Sequence, residues 1–265
     1  MLGWMPARPG PVFVDQIGLS PRMPQHTPLY NIASGHPRVG KTLIARLLIE
    51  YLRLSGRALA GYDLDPREPA LARYFPTLVW TLDIADTQGQ MALFDRLITD
   101  GSRTGVVDLG YRLFEQFFAV MAEIGFEQEA RQRHIEPVVL FITDSAPITA
   151  RRYAELRRRL PQTTFVPVHN EAAAFMLVPQ DFPPSRPSGG IIRIPRLSPL
   201  VRGVIDRPGF SFGAYMSNQP GGPTEVHSWI AGIFAQFREL ELRLLIGELE
   251  SSLRSASKEP APQPP

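Results

Sequence analysis

The chain has 265 residues, 44% of them hydrophobic, and a formal net charge of +2. That length holds one large domain with a substantial core, or at most two, and so balanced a charge says little about partners. There is no cysteine, which excludes disulfides, thiolate metal sites and cysteine nucleophiles.

The five histidines do not cluster at metal-ligand spacing, so no structural zinc is expected. No apolar run approaches the ~18 residues of a membrane span. Pro6, Pro9 and Pro11 interrupt any signal-peptide core. A cytoplasmic protein without a membrane span is expected. Residues 1–28 are proline-rich and carry no sustained period, so they read as an irregular arm.

Leu29 to Ser34 reads as a short strand, and Gly35-His36-Pro37-Arg38-Val39-Gly40-Lys41-Thr42 follows it. This is the pattern G-x-x-x-x-G-K-[ST]. Glycines at 35 and 40 permit backbone angles and close approach that a side chain would block. Successive N–H groups of such a loop form an anion nest. Lys41 adds a mobile point charge for the outer phosphates, and Thr42 offers a hydroxyl to Mg²⁺. Of the 28 basic residues only Lys41 and Lys258 are lysines. A slim ammonium therefore stands at the one loop position where a planar guanidinium fork fits poorly. Leu43 to Leu54 reads as the helix that must follow, with Ile44, Leu47, Leu48, Tyr51 and Leu52 on one face and Gly56 as its C-terminal cap. Ala58 to Tyr62 reads as the second strand.

That strand delivers Asp63-Leu64-Asp65-Pro66. Alternation puts Asp63 and Asp65 on one side, a pair suited to metal and water positioning beside a phosphate site. A third strand is expected over Thr77–Ile84 and a helix over 88–99. Gly105-Val106-Val107-Asp108-Leu109-Gly110 reads as a buried strand ending in a carboxylate and a glycine, the form of a second acidic phosphate-site element. A phenylalanine-rich helix over 111–124, a strand over Pro137–Ile142, an arginine-rich helix over 148–160, a strand from Thr163 to Val168 ending in His169-Asn170, and a last strand over Ile191–Ile194 follow. Residues 183–190 and 218–223 read as proline- and glycine-rich loops, 224–253 as a packing or dimer helix, and 254–265 as a disordered tail. The alternation predicts an α/β fold, a three-layer α/β/α sandwich around a mainly parallel sheet, with residues 29–253 as one nucleotide-binding domain. Ligands of such sheets bind at the carboxyl ends of strands.

With these elements the chain resembles the ParA/MinD branch of P-loop ATPases (the SIMIBI class), over about residues 29–215. The resemblance rests on Gly35–Thr42, Asp63–Pro66 and Gly105–Gly110. It implies a P-loop NTPase that binds Mg-ATP, with Lys41 and Asp65 catalytic, Asp65 orienting the attacking water, and Thr42, Asp63 and Asp108 at Mg²⁺. It implies Asn170 at the adenine, a homodimer, and a nucleotide-dependent switch acting on DNA or a partner protein, in partition, plasmid stability or conjugative transfer. The family's second loop lysine is replaced by His36, followed by Pro37 and Arg38. Either His36 or Arg38 takes over, or the sandwich dimer and its hydrolysis are weakened. A non-hydrolysing nucleotide-binding adaptor and a ligase like dethiobiotin synthetase are the alternatives. Arg151 to Arg159, with the arginines at 186, 193, 196, 202 and 207, would form the basic face for DNA.

Overall fold

The computed structural model describes residues 26–173, 181–186, 189–207, 209–218 and 224–256. Most of the expected arm and tail, and residues 219–223 of the second loop, lie outside them. The elements run in order β1 (Thr27–Ala33), α1 (Lys41–Leu54), β2 (Leu59–Asp63), α2 (Ala70–Tyr74), β3 (Val79–Thr81), α3 (Thr87–Thr99) and β4 (Thr104–Asp108). A 3₁₀ turn (Tyr111–Leu113) leads to α4 (Phe114–Glu123), α5 (Phe126–Gln132), β5 (Ile135–Thr143), α6 (Pro147–Arg159), β6 (Thr164–Asn170) and β7 (Ile192–Ile194). The chain then forms α7 (Pro199–Ile205), α8 (Phe212–Ser217) and α9 (Glu225–Ala256).

The seven strands form one sheet in the order β3-β2-β4-β1-β5-β6-β7, and every described pairing is parallel. Parallel strands need helical crossovers, so both faces are covered and the strands are apolar on both sides. Alternation sorts the core into two halves. Tyr30, Ile32, Val106, Val138, Leu140 and Ile142 face α1, α8 and α9. Leu29, Ala33, Val107, Val139 and Phe141 face α3, α4, α5 and α6, where phenylalanines fill the layer. Helix α1 ends where expected. Gly56 adopts φ 69°, and Gly56 N–H and Arg57 N–H donate to the carbonyls of Arg53 and Leu52, which closes the helix in a Schellman motif.

Several boundaries differ from the sequence reading, each for a local reason. The first strand begins at Thr27, inside the expected arm, because it pairs with β5 from Thr27 onward. The third strand is three residues long, not eight. Asp83 Oδ1 accepts Ala85 N–H at 2.9 Å, turning the chain, and Asp86 caps α3 through Gly89 N–H at 2.7 Å. The helix expected over 111–124 opens as a 3₁₀ turn, and Gly125, at φ 65°, separates it from α5. Helices α2, α5, α7 and α8 were not expected from the sequence.

Helix α1 is buried almost all round, including Arg46 and Glu50 on what the pattern suggests is its polar side. Arg46 Nη2 donates to Ile205 O at 3.0 Å and Phe210 O at 3.2 Å, and its guanidinium lies 3.6 Å from the Tyr74 ring centroid. Glu50 Oε2 accepts Ser211 Oγ at 2.9 Å and Gly213 N–H at 3.2 Å. The two side chains thus tie α7 and α8 onto the helix that follows the loop. Glu50→Ala strips the buried Gly213 N–H and the part-buried Ser211 hydroxyl of their acceptor and removes one of the anions acting on Arg46. We expect a stability loss of about 2–3 kcal/mol in urea unfolding; a loss under about 0.5 kcal/mol would show that this tie is dispensable.

Candidate functional site

Strand β1 lies between β4 and β5, so the loop after it opens at the centre of the sheet's carboxyl edge. Arg38 (φ 57°) and Gly40 (φ 97°) turn the loop into α1. Ser34 Oγ accepts His36 N–H at 3.1 Å, and His36 Nδ1 pairs with Asp144 Oδ2 at the end of β5. Pro37 and Arg38 are exposed, while Val39 is buried. Lys41 Nζ donates to His36 O at 3.0 Å, so the ammonium already lies along the first residues of the loop.

Asn170 comes from β6, two strands away from β1, and is buried. Its Nδ2 donates to Val39 O at 2.8 Å and its Oδ1 accepts Ala172 N–H at 3.2 Å. A Cβ on Gly40 would stand 2.5 Å from Asn170 Nδ2, so glycine is required there by φ and by space. Each end of its amide holds a backbone partner, and in this way Asn170 braces the loop.

The acidic elements meet the loop from the other side. Thr42 Oγ1 donates to Asp108 Oδ2 at 2.7 Å. Register pairs Asp63 with Asp108 at the ends of β2 and β4. Asp108 is buried, and burial pushes its carboxyl up to about 7; the Thr42 bond and Lys41 work against this, and Asp63 and Asp65 add to it. A buried, under-compensated carboxylate with a part-buried hydroxyl beside it suits a divalent cation. Thr42 and Asp108 are the residues that fit Mg²⁺. Asp63 does not join them. Its oxygens accept the N–H groups of Leu71 at 2.8 Å, Ala72 at 3.2 Å and Asp65 at 3.2 Å, so it anchors the start of α2. Burial is also what raises its carboxyl above the usual range.

Asp65 is half-buried, and a Cβ on Gly110 would lie 3.3 Å from its Oδ2. It thereby faces the glycine that ends the β4 element. Burial lowers the Lys41 ammonium below its ordinary value, against the pull of Asp108 and Asp65. Lys41, Thr42, Asp108 and Asp65 form one cluster, with the Tyr111 ring centroid 5.8 Å from Lys41 Nζ.

The strand pattern already sets Asp144 just past a strand end, but three participants escape a sequence reading. Tyr111 sits just past β4. Arg152 and Glu115, on α6 and α4, meet through Arg152 Nε and Glu115 Oε1 at 2.9 Å. The arginines do not form the single basic face expected. Helix α6 packs on the phenylalanine-rich half of the core, whereas α7, with Arg202, packs on the opposite half. Arg186 bonds Gln162 O and Glu136, and Arg202 pairs with Asp206.

A parallel sheet with a G-x-x-x-x-G-K-T loop after its central strand, and a threonine–aspartate pair beside the loop lysine, defines an α/β P-loop NTPase fold. Among solved structures the chain is similar to the MinD cell division protein of Aquifex aeolicus, with a TM-score of 0.46 and 14% identity over 80% of this chain and 97% of that one. It is similar to the MinC:MinD cell division protein complex of the same organism, with a TM-score of 0.45 and 14% identity over 80% of this chain and 96% of that chain. It is also similar to a nucleotide-binding protein in complex with ADP from Archaeoglobus fulgidus, with a TM-score of 0.40 and 14% identity over 67% and 85%. No family model matches the sequence, and no curated protein matches it. Among the described residues no helix is long and apolar enough to cross a membrane.

Asp108 gives this site a pH signature. Its folded value of about 7 lies above the ordinary 3.8, so the folded chain holds a proton that the unfolded chain releases first. Stability from this group is present below about pH 4 and lost as pH rises through 7. Asp108→Asn keeps an acceptor for Thr42 and removes the ionisation. In EDTA, its melting temperature is expected to exceed wild type already at pH 5 and by a larger margin at pH 8, the two converging only toward pH 4. Equal melting curves at both pH values would mean that the carboxyl is not perturbed.

Proposed function

We propose that the chain binds Mg-ATP on the 35–42 loop and hydrolyses it as a ParA/MinD-like, nucleotide-dependent switch. The observation that carries this reading is the convergence of Lys41 with the Thr42–Asp108 pair and Asp65 on one loop. The loop N–H groups and the N-terminus of α1 receive the phosphates. Lys41 exchanges His36 O for the outer phosphate oxygens. Thr42 and Asp108 would hold Mg²⁺, which when bound would supply positive charge to offset that of the phosphates. Asp65, close to Gly110, orients the water that attacks the terminal phosphorus, and ADP leaves. Gly110 allows the backbone there to respond to the terminal phosphate. Because the arginines divide between two faces of the sheet, DNA has no part in this proposal.

Lys41→Ala is expected to weaken binding of a fluorescent ATP analogue at least about tenfold, consistent with loss of a charge-assisted contact. Asp65→Asn is expected to bind the analogue normally and lose turnover, read as phosphate release. Wild-type binding without turnover, with candidate partners present, would favour a non-hydrolysing adaptor. No binding by the wild type would remove the proposal.

We further propose that the switch is a homodimer through α9. This helix spans 32 residues, about 48 Å. Its first half packs on the core through Trp229, Ile230, Ile233 and Phe237. Further on, Leu242, Ile246, Leu249 and Leu253 are exposed at alternating spacings of four and three, the repeat that seats one helix against a copy of itself. Sedimentation is expected to give a dimer for the wild type and a monomer for Ile246→Glu. A wild-type monomer at tens of micromolar, with and without nucleotide, would overturn this.

A further inference from the structure

Arg152 lies against the first glycine of the loop. A Cβ on Gly35 would stand 2.5 Å from Arg152 Nη1 and 3.4 Å from its Cδ and Cζ. The guanidinium is thus packed on the Gly35 backbone, in space that only glycine leaves open. The carbonyl that Lys41 Nζ touches belongs to the next residue, His36. Two cations, one from α1 and one from α6, therefore converge on the same two residues at the start of the loop. Lys41 is the group that reaches the outer phosphates in such loops, so Arg152 stands by the same phosphates.

Its position is built, not incidental. Asp144 Oδ1 accepts Ala146 N–H at 2.8 Å, fixing the entry to α6, while Asp144 Oδ2 holds His36. Helix α6 and the loop are thereby joined at one carboxylate, and Arg152 follows one turn into the helix. On its other side Arg152 Nε is bonded to Glu115 Oε1 at 2.9 Å, and the guanidinium lies 6.0 Å from the Phe114 ring centroid. Glu115 sits in the first turn of α4, a few residues past Asp108 and Gly110. The planar fork can offer one edge to a carboxylate and another to phosphate oxygens, which an ammonium cannot do.

We propose that Arg152 is a second cation for the outer phosphates of a bound nucleoside triphosphate, supplied by the same chain, and that Glu115 competes with those phosphates for it. This rests on the phosphate-site reading above. It makes Arg152 a residue that distinguishes triphosphate from diphosphate. It also links that distinction to α4, which continues from the Asp108–Gly110 element. Arginines supplied within the same chain are an established way of stabilising charge on a transferring phosphoryl group.

The test is the affinity of the full chain for a non-hydrolysable ATP analogue and for ADP, each with Mg²⁺. Arg152→Ala is expected to weaken the analogue about tenfold or more and to change ADP affinity less than about twofold, so that ADP binding also reports an intact fold. Arg152→Lys is expected to recover only part of the loss and serves if the alanine variant does not fold. Glu115→Gln is expected to tighten analogue binding a few-fold, and to do so only while Arg152 is present, a coupling read from the double variant. Equal losses for both nucleotides, no loss for either, or a Glu115→Gln effect that persists in Arg152→Ala would each overturn the proposal. Wild-type binding that needs Lys41 but ignores Arg152 would remove this inference alone. Absent wild-type binding would remove the phosphate site itself.

Discussion

The hydrogen bond from Thr42 to Asp108 joins the first turn of α1 to the end of a strand 66 residues further on. Its existence depends on strand order. Only because β4 lies directly beside β1 does the carboxylate at its end meet the hydroxyl that follows the loop. The pairing of β2 on the other side of β4 sets Asp63 beside Asp108 and Asp65 against Gly110. An acidic group buried there, with one hydroxyl and one lysine for company, is electrostatically incomplete. That incompleteness is the physical reason to read the place as a site for a cation and phosphates and not as a packed strand end.

The loop itself is held from three directions. Asn170 grips Val39 from β6, Asp144 grips His36 from β5, and Ser34 supports the turn from below. Each brace comes from a strand end or the residue just beyond, so the sheet fixes the loop through polar contacts that its parallel order brings within reach. Phosphate binding by backbone N–H groups requires such a fixed cradle, because ordering the loop at the moment of binding would cost affinity. The braces also show that residues that look like ligand contacts in a sequence can serve structure. Asn170 and Asp63 are both in the right place and both hold backbone partners.

Away from the site, the face of α1 opposite the sheet is covered by α7, α8 and α9. Arg46 and Glu50 bind α7 and α8 through buried polar contacts, and Tyr51 Oη donates to Glu241 of α9 at 2.6 Å. The helix that begins at Lys41 is therefore enclosed along its length. The first half of α9 continues that layer, while its second half carries exposed leucines and isoleucine out of it.

The loop, the helix after it, the alternation of strands and helices, and the aspartates at strand ends were all legible in the sequence. They are local: a glycine spacing, a 3.6-residue period, a short apolar run closed by a polar residue. The same local signals misjudged Val79–Thr81, whose edge position and aspartate turns cut it short, and missed α7 and α8, whose anchors are a buried arginine and glutamate that read as solvent-facing. Asp63 and Asp108 are both aspartates at the ends of buried strands, and both were read as metal-positioning, yet one anchors the start of α2 and the other faces Thr42. Arg152 was one arginine in a run, and only the packing of α6 beside the loop set it on Gly35. Sequence by itself determined which elements form and where a phosphate loop must lie, because backbone geometry and periodicity are written in neighbouring residues. Which carboxylate, amide or guanidinium meets that loop was decided by tertiary structure alone, because those contacts join residues tens to more than a hundred positions apart.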